Sequence, residues 1–336
     1  MTALLPDLPS PWLAALAFGL AAVAVIGNDA VQTLGPFLSS NRDRTPRWLQ
    51  GLFFGGLLVL VLLLGWWRGG GDPSWGRLAT FPAVVSLAWI DLLPSLAVLA
   101  LTAWGAPVST TVLLLAAVVP AQATDLVLRS LLGYGLALAV ALPVYLLLAD
   151  RWEPPPVSGP EPAWWMPLQW LATGWLWTQW LIQDLANIYV MLPRRLDPLP
   201  LGLSLGALLL ALALLLWRRG GSVQAVVDSK SNSRDRRSAT LIDLVYGLIL
   251  FGLGRWSPRP LSTTWVFLGL LAGRELALGW CRRPTPWPQL WRTLATDLAK
   301  AGAGLALSVV LVLVMAGGGQ LTFGHDAGEV VVPEVQ

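Results

Sequence analysis

Long apolar runs separated by short polar or proline-bearing breaks fill most of the chain. Trp48 to Trp67, Phe81 to Trp104, Ser130 to Ala149 and Leu199 to Trp217 each reach the roughly 20 mostly apolar residues that a helix needs to cross a bilayer core. Trp12 to Ile26, Trp164 to Ile182, Leu241 to Leu253 and Leu294 to Met315 continue the pattern but contain or abut Gly, Pro or an acid. The pattern predicts helices throughout, in an all-α polytopic membrane protein. Composition supports this reading, since 55% of the 336 residues are hydrophobic, 12% are charged and the mean hydropathy is +0.64.

Many of the 20 Trp stand at the ends of these runs: Trp12, Trp48, Trp66, Trp67, Trp104, Trp164, Trp165, Trp217, Trp256 and Trp291. That placement predicts headgroup-level anchors. The opening "MTALLPDLPSPW" has no basic region before the apolar run, so the run from Trp12 is expected to be a retained first helix. A lone Cys281 excludes an intramolecular disulfide and a thiolate metal cluster. The formal charge of +3 is patterned, because the stretch 218–237 carries six of the 22 basic residues. It reads as a cytoplasmic loop obeying the positive-inside rule, with no nucleic-acid partner. The acidic tail after Gly317 then suits the external face.

Four short patterns recur in the same order along the two halves. Asn28-Asp29 is matched by Gln183-Asp184 at an offset of 155, Ile90-Asp91-Leu92 by Ile242-Asp243-Leu244 at 152, Ser109-Thr110-Thr111 by Ser262-Thr263-Thr264 at 153, and Ala123-Thr124-Asp125-Leu126 by Ala295-Thr296-Asp297-Leu298 at 172. The expected organisation is a first transmembrane repeat at 1–150, a Pro-rich linker at 151–163, a second repeat at 164–316 with a basic loop at 218–238, and an acidic tail at 317–336. If each STT segment counts as one crossing, every half has five and the second half is inverted. Both termini then lie outside. Segments of half a span read as broken helices or re-entrant helical hairpins.

Acids within membrane segments are rare and mark functional positions by default. Asp125 with Arg129 and Asp297 with Lys300 have helical spacing for structural ion pairs. Asp91 and Asp243 either pack between the halves or lie near a coupling path. Asp29 and Asp184 differ, because carboxamides flank them and no Lys, Arg or His stands nearby in sequence. Asn28, Asp29 and Gln32, and again Gln183, Asp184 and Asn187, put oxygen donors at i−1, i and i+3, a pattern suited to hard cations such as Na⁺. The STT runs each follow a proline-bearing stop and open a fresh apolar helix, Ser at the N-cap. Free N–H groups and hydroxyls there form a cradle for an oxyanion, and paired helix breaks point to a midplane site between transporter repeats. Two carboxylates beside an anion repel it unless cations intervene, so the anion should bind only together with Na⁺ or H⁺.

These stretches resemble the inorganic phosphate transporter (PiT) family, whose halves each carry a G-x-N-D-x-A-N type and a P-V-S-T-T-H type motif. "GNDAVQTLGP" and "PVSTT" are similar to the first half; "QDLANIYVMLP" and "PLSTT" to the second. The resemblance implies an inverted-repeat fold and Na⁺- or H⁺-coupled phosphate uptake. It also implies that Ser109, Thr110, Thr111, Ser262, Thr263 and Thr264 line the anion site, with Asn28, Asp29, Asp184 and Asn187 at or near the cation sites. The chain reads as a divergent member, because Gln32 and Gln183 stand where the family has Asn, and Val112 and Trp265 where it has His. Tyr189 and Met191 replace small residues.

The expected function is a secondary transporter of phosphate or a related oxyanion such as sulfate in the plasma (inner) membrane, with no cofactor beyond the coupling ion and a homodimer as one assembly. The alternative is a transport-incompetent subunit with an assembly or regulatory role. An enzyme is disfavoured, since the one His, His325, lies in the tail and no base accompanies the STT hydroxyls.

Overall fold

The computed structural model describes residues 11–84, 87–105, 108–152, 161–231, 235–282 and 287–318. Pro107, most of the expected linker, most of the acidic tail and the side chains of Asp297 and Lys300 lie outside the described residues. Among the described residues the extended elements are helices, and five are long and apolar enough to cross a membrane. The chain is an all-α polytopic membrane protein.

Helix α1 (Pro11–Val25) passes through one π-helical turn (Ile26–Ala30) into α2 (Val31–Ser40), forming a continuous 30-residue rod. The first acid cluster therefore sits in a bulge and not at a broken end. A π-turn inserts a residue and relaxes the i→i−4 ladder locally, which turns consecutive side chains inward. Helix α3 (Arg47–Arg68) follows.

The expected span from Phe81 to Trp104 is not one. Its described residues before Trp89 are irregular, and only a 3₁₀ turn (Trp89–Leu92) and α4 (Leu93–Ala103) are helical. Asp91 explains the start, because its Oδ2 accepts the Ala88 N–H at 2.7 Å as a cap. After the turn at Gly105, the first STT run opens a π-turn (Thr111–Leu115) and α5 (Ala116–Val118), which stops before Pro120. The limbs rise about 16 and 12 Å, well short of a bilayer core of about 30 Å, so this is a half-span hairpin. Helix α6 (Ala123–Trp152) continues.

In the second half come α7 (Trp165–Tyr189), α8 (Pro198–Trp217), α9 (Gly221–Ser231), α10 (Arg236–Trp256), α11 (Thr263–Arg282) and α12 (Trp287–Gly318). The halves are unequal here: α10 and the 20-residue α11, which begins at the second STT run, are full-length, since no proline interrupts either. The expected basic loop at 218–238 is also corrected. Its middle is α9, whose Val223 and Val227 are buried, Val227 lying against Gly35 of α2, while Gln224 Nε2 donates to Gly35 O at 2.9 Å.

Helix α7 stands at the centre. Its polar Gln169, Thr173, Gln183, Asp184 and Asn187 are all buried, so protein rather than lipid surrounds them. Trp177 and Trp180 stack on it 4.8 Å apart. Of the expected belt, Trp12, Trp48, Trp67, Trp104, Trp217, Trp256 and Trp291 are exposed. Trp165 is buried instead, and half-buried Trp66 donates to Leu196 O at 2.7 Å.

Helices α6 and α11 touch backbone to backbone. A Cβ on Gly269 would lie 2.2 Å from Tyr134 O, and one on Gly273 2.8 Å from Leu138 O, the small-x-x-x-small device of membrane helix pairs. Gly269→Leu is expected to lower the melting temperature in detergent by about 5 °C or more, since relief requires the two helices to separate. Gly135→Leu, with nothing within 4 Å of its would-be Cβ, is the control and should melt like the parent.

Candidate functional site

The π-turn aims Asn28 and Asp29 into the protein, where both are buried. From the first hairpin Thr110 Oγ1 donates to Asp29 Oδ2. From the start of α11 Thr264 Oγ1 reaches Asp29 Oδ1 at 3.2 Å and Val108 O at 3.0 Å. One carboxylate thus holds hydroxyls from both STT runs. On α7, Asn187 Nδ2 donates to Thr111 Oγ1 at 3.0 Å and to Asp184 Oδ1 at 2.5 Å, and reaches Thr110 Oγ1 at 3.4 Å. Asn187 thus links Asp184 to the threonine that Asp29 holds.

The two serines cap the runs. Ser109 Oγ accepts the Val112 N–H at 3.1 Å and Ser262 Oγ the Trp265 N–H at 3.3 Å, N-caps on the third residue of each turn. A serine that accepts in this way retains its proton for another acceptor. Val112 and Trp265 are buried, with Tyr134 edge-on to Trp265 at 6.0 Å, so the wall behind each run is apolar.

The carboxamides diverge. Gln32 Nε2 joins the cluster, donating to Asn28 Oδ1 at 2.9 Å and reaching Thr264 Oγ1 at 3.4 Å. Asn28 also spans the hairpin, donating to Thr102 Oγ1 at 2.8 Å and accepting from Val108 N at 3.2 Å. Gln183 turns its amide nitrogen away, toward Leu250 O of α10 at 3.4 Å. It does not share the Asp29 cluster's hydrogen bonds, because its neighbour across the packed surface is Gly254, where a Cβ would lie 2.6 Å from Gln183 Nε2. Gln32 Oε1, Gln183 Oε1, Asp184 Oδ2 and Asn187 Oδ1 are buried without a hydrogen-bond partner. Carboxylate and carboxamide oxygens of this kind suit a hard cation.

The other intramembrane acids separate by partner. Asp125 pairs with Arg129 at 2.7 Å and Arg259 at 3.3 Å, which fastens α6 to the loop before the second STT run. Asp243 is buried on α10 and accepts from Thr173 Oγ1 of α7, with its other oxygen unpartnered. Asp91 and Asp243, although matched in sequence, therefore differ: one is a cap, the other a buried acid.

Sequence reading missed three contributors. Thr102 carries no pattern. Tyr246, whose hydroxyl donates to Thr263 O at 2.8 Å, lies two residues past the Ile242-Asp243-Leu244 match, outside any repeated pattern. Arg77, distant in sequence from both acids, is carried inward by the segment at 69–84 and donates to Ile182 O of α7, two residues before Asp184.

Neither a protein-family model nor a curated protein sequence matches the chain. A solved structure titled "The sodium-dependent phosphate transporter" aligns with it at a TM-score of 0.60 and 13% identity, over 91% of this chain and 99% of that one. The chain shares that transporter's fold. At this identity the individual site residues rest on their own geometry.

Proposed function

We propose that this protein is a secondary active transporter that moves phosphate or a related tetrahedral oxyanion together with Na⁺ or H⁺. The observation that carries this is the double grip of Thr110 and Thr264 on Asp29. A hydroxyl has one proton to donate. An oxyanion entering between the STT runs competes with Asp29 for the protons of Thr110 and Thr264. Once it takes them, Asp29 is a buried carboxylate stripped of its donors beside a second negative charge, a state costing several kcal/mol unless a cation arrives. Anion and cation thus bind together. In this reading Ser109, Thr110, Thr111, Ser262, Thr263 and Thr264 receive the anion, while Asn28, Asp29, Gln32, Asp184 and Asn187 receive the cation. Gln183, whose Oε1 is likewise buried without a partner, belongs to the same set.

The likeness to a phosphate transporter supports the substrate class; it leaves phosphate and sulfate to be separated by experiment. Purified protein in liposomes is expected to accumulate one of the two labelled oxyanions when a Na⁺ or proton gradient is imposed. No accumulation of either under both gradients rejects the reading in favour of an assembly or regulatory subunit, which would copurify with a stoichiometric membrane partner.

A further inference from the structure

Arg77 is a charged residue that the anion and cation sites above do not use. It sits on the irregular segment at 69–84, which is folded rather than loose. Asp72 Oδ1 accepts the Ser74 N–H at 2.8 Å, Asp72 Oδ2 accepts the Ser74 hydroxyl at 2.9 Å, and Trp75 adopts φ +59° to turn the chain. That turn drives Arg77 inward to 6% exposure. Its Nε donates to Ile182 O of α7 at 2.8 Å, and one terminal nitrogen reaches Ser257 O and Pro258 O, both at 3.3 Å, in the break that precedes the second STT run. Its other terminal nitrogen would lie 3.1 Å from a Cβ on Gly254 and the Gln183 amide 2.6 Å from the same point, so only glycine leaves room for both groups.

The carbonyls absorb the guanidinium protons but carry no net charge. A guanidinium stays ionised, and burying it without a counter-charge is costly. Asp184 stands two residues beyond Ile182 on α7, within one helical turn of the carbonyl that Arg77 grips. The attraction acts through space, and Asp184 Oδ2 keeps no hydrogen-bond partner.

We infer that Arg77 is a resident counter-charge for Asp184, a positioning residue that occupies electrostatically the place of one coupling cation, so that one cation, held at Asp29, accompanies each anion. The inference rests on the transport reading above. With Asp29 and Asp184 both ionised, the site holds two negative charges before the anion enters. Arg77 cancels one without leaving the protein. Gln183 shares this packed surface through its amide nitrogen, which turns toward Leu250 and Gly254.

The test has one arm that needs transport and one that does not. In proteoliposomes, labelled phosphate or sulfate uptake is measured against the concentration of the coupling ion. The parent is expected to follow its first power, Arg77→Lys likewise, and Arg77→Gln about its second power, by mass action. A second-power dependence in the parent, or an unchanged first power in folded Arg77→Gln, overturns the inference while leaving transport itself established. Complete absence of uptake in the parent instead removes the transport reading. Independently, melting temperatures of the parent, Arg77→Gln, Asp184→Asn and the double variant form a cycle. Each single variant uncovers a buried charge, so the double variant is expected to melt about 5 °C or more above the sum of the two losses. Additive losses overturn the pairing, and this outcome is read even where Arg77→Gln alone is too unstable to transport.

Discussion

Asp29→Asn is expected to abolish cation-coupled anion uptake, lowering the rate by about 100-fold or more at a fixed gradient, while the protein folds and melts at or above the parent temperature. The size follows from removing the one charge that makes cation and anion mutually dependent, since loss of a buried charged partner costs about 2–5 kcal/mol and each 1.4 kcal/mol is tenfold. The sign on stability follows from burial. Asn fits the same space, its Oδ1 still accepts from a threonine hydroxyl, and a neutral group in a buried site escapes the desolvation that a carboxylate suffers. Uptake against the imposed gradient and a detergent melting curve check the two halves together. Parent-like uptake in Asp29→Asn would show that the coupling ion is held elsewhere.

The paired change Thr110→Val with Thr264→Val is expected to remove anion binding, with each substitution alone weakening it roughly 10- to 100-fold, the range for one hydrogen bond to a charged group. Valine keeps the branched shape and the helical start, because Ser109 and Ser262 still cap their turns. Cation affinity should move in the opposite direction. Asp29 loses its two hydroxyl donors, so a cation has less competition for its oxygens. Equilibrium binding of labelled phosphate, and Na⁺ binding measured without anion, separate these effects. Equal loss of both ions would mark the threonines as structural supports.

Much of this arrangement was written locally. Apolar run length gave the spanning helices, and Pro120 gave the stop that keeps the first hairpin short. The acid and STT clusters were legible because carboxylates and hydroxyl triplets are out of place in apolar sequence. Long-range packing was less legible. The run from Phe81 to Trp104 counts as a span by hydropathy, and only the cap that Asp91 places on Ala88 reveals that half of it is irregular. Gln183 matches Asn28 by spacing, yet Gly254 leaves room for its amide to turn outward while Thr102 and Val108 hold Asn28 in the cluster. Arg77 stands 105 positions from Ile182, whose carbonyl it grips, and no local pattern records a contact made by folding a Gly-rich segment back into the protein.

The unequal mounting of the two hydroxyl runs has a mechanical consequence. Thr264 begins a helix fused to α6 by the close approaches at Gly269 and Gly273, so displacing it means moving two whole helices as one body. Thr110 opens a short limb that ends before Pro120 and is tied chiefly by the grips of Asn28 and Asp29. One jaw of the clamp on Asp29 is anvil, the other hammer, and the hinge of any opening lies on the side of the first hairpin.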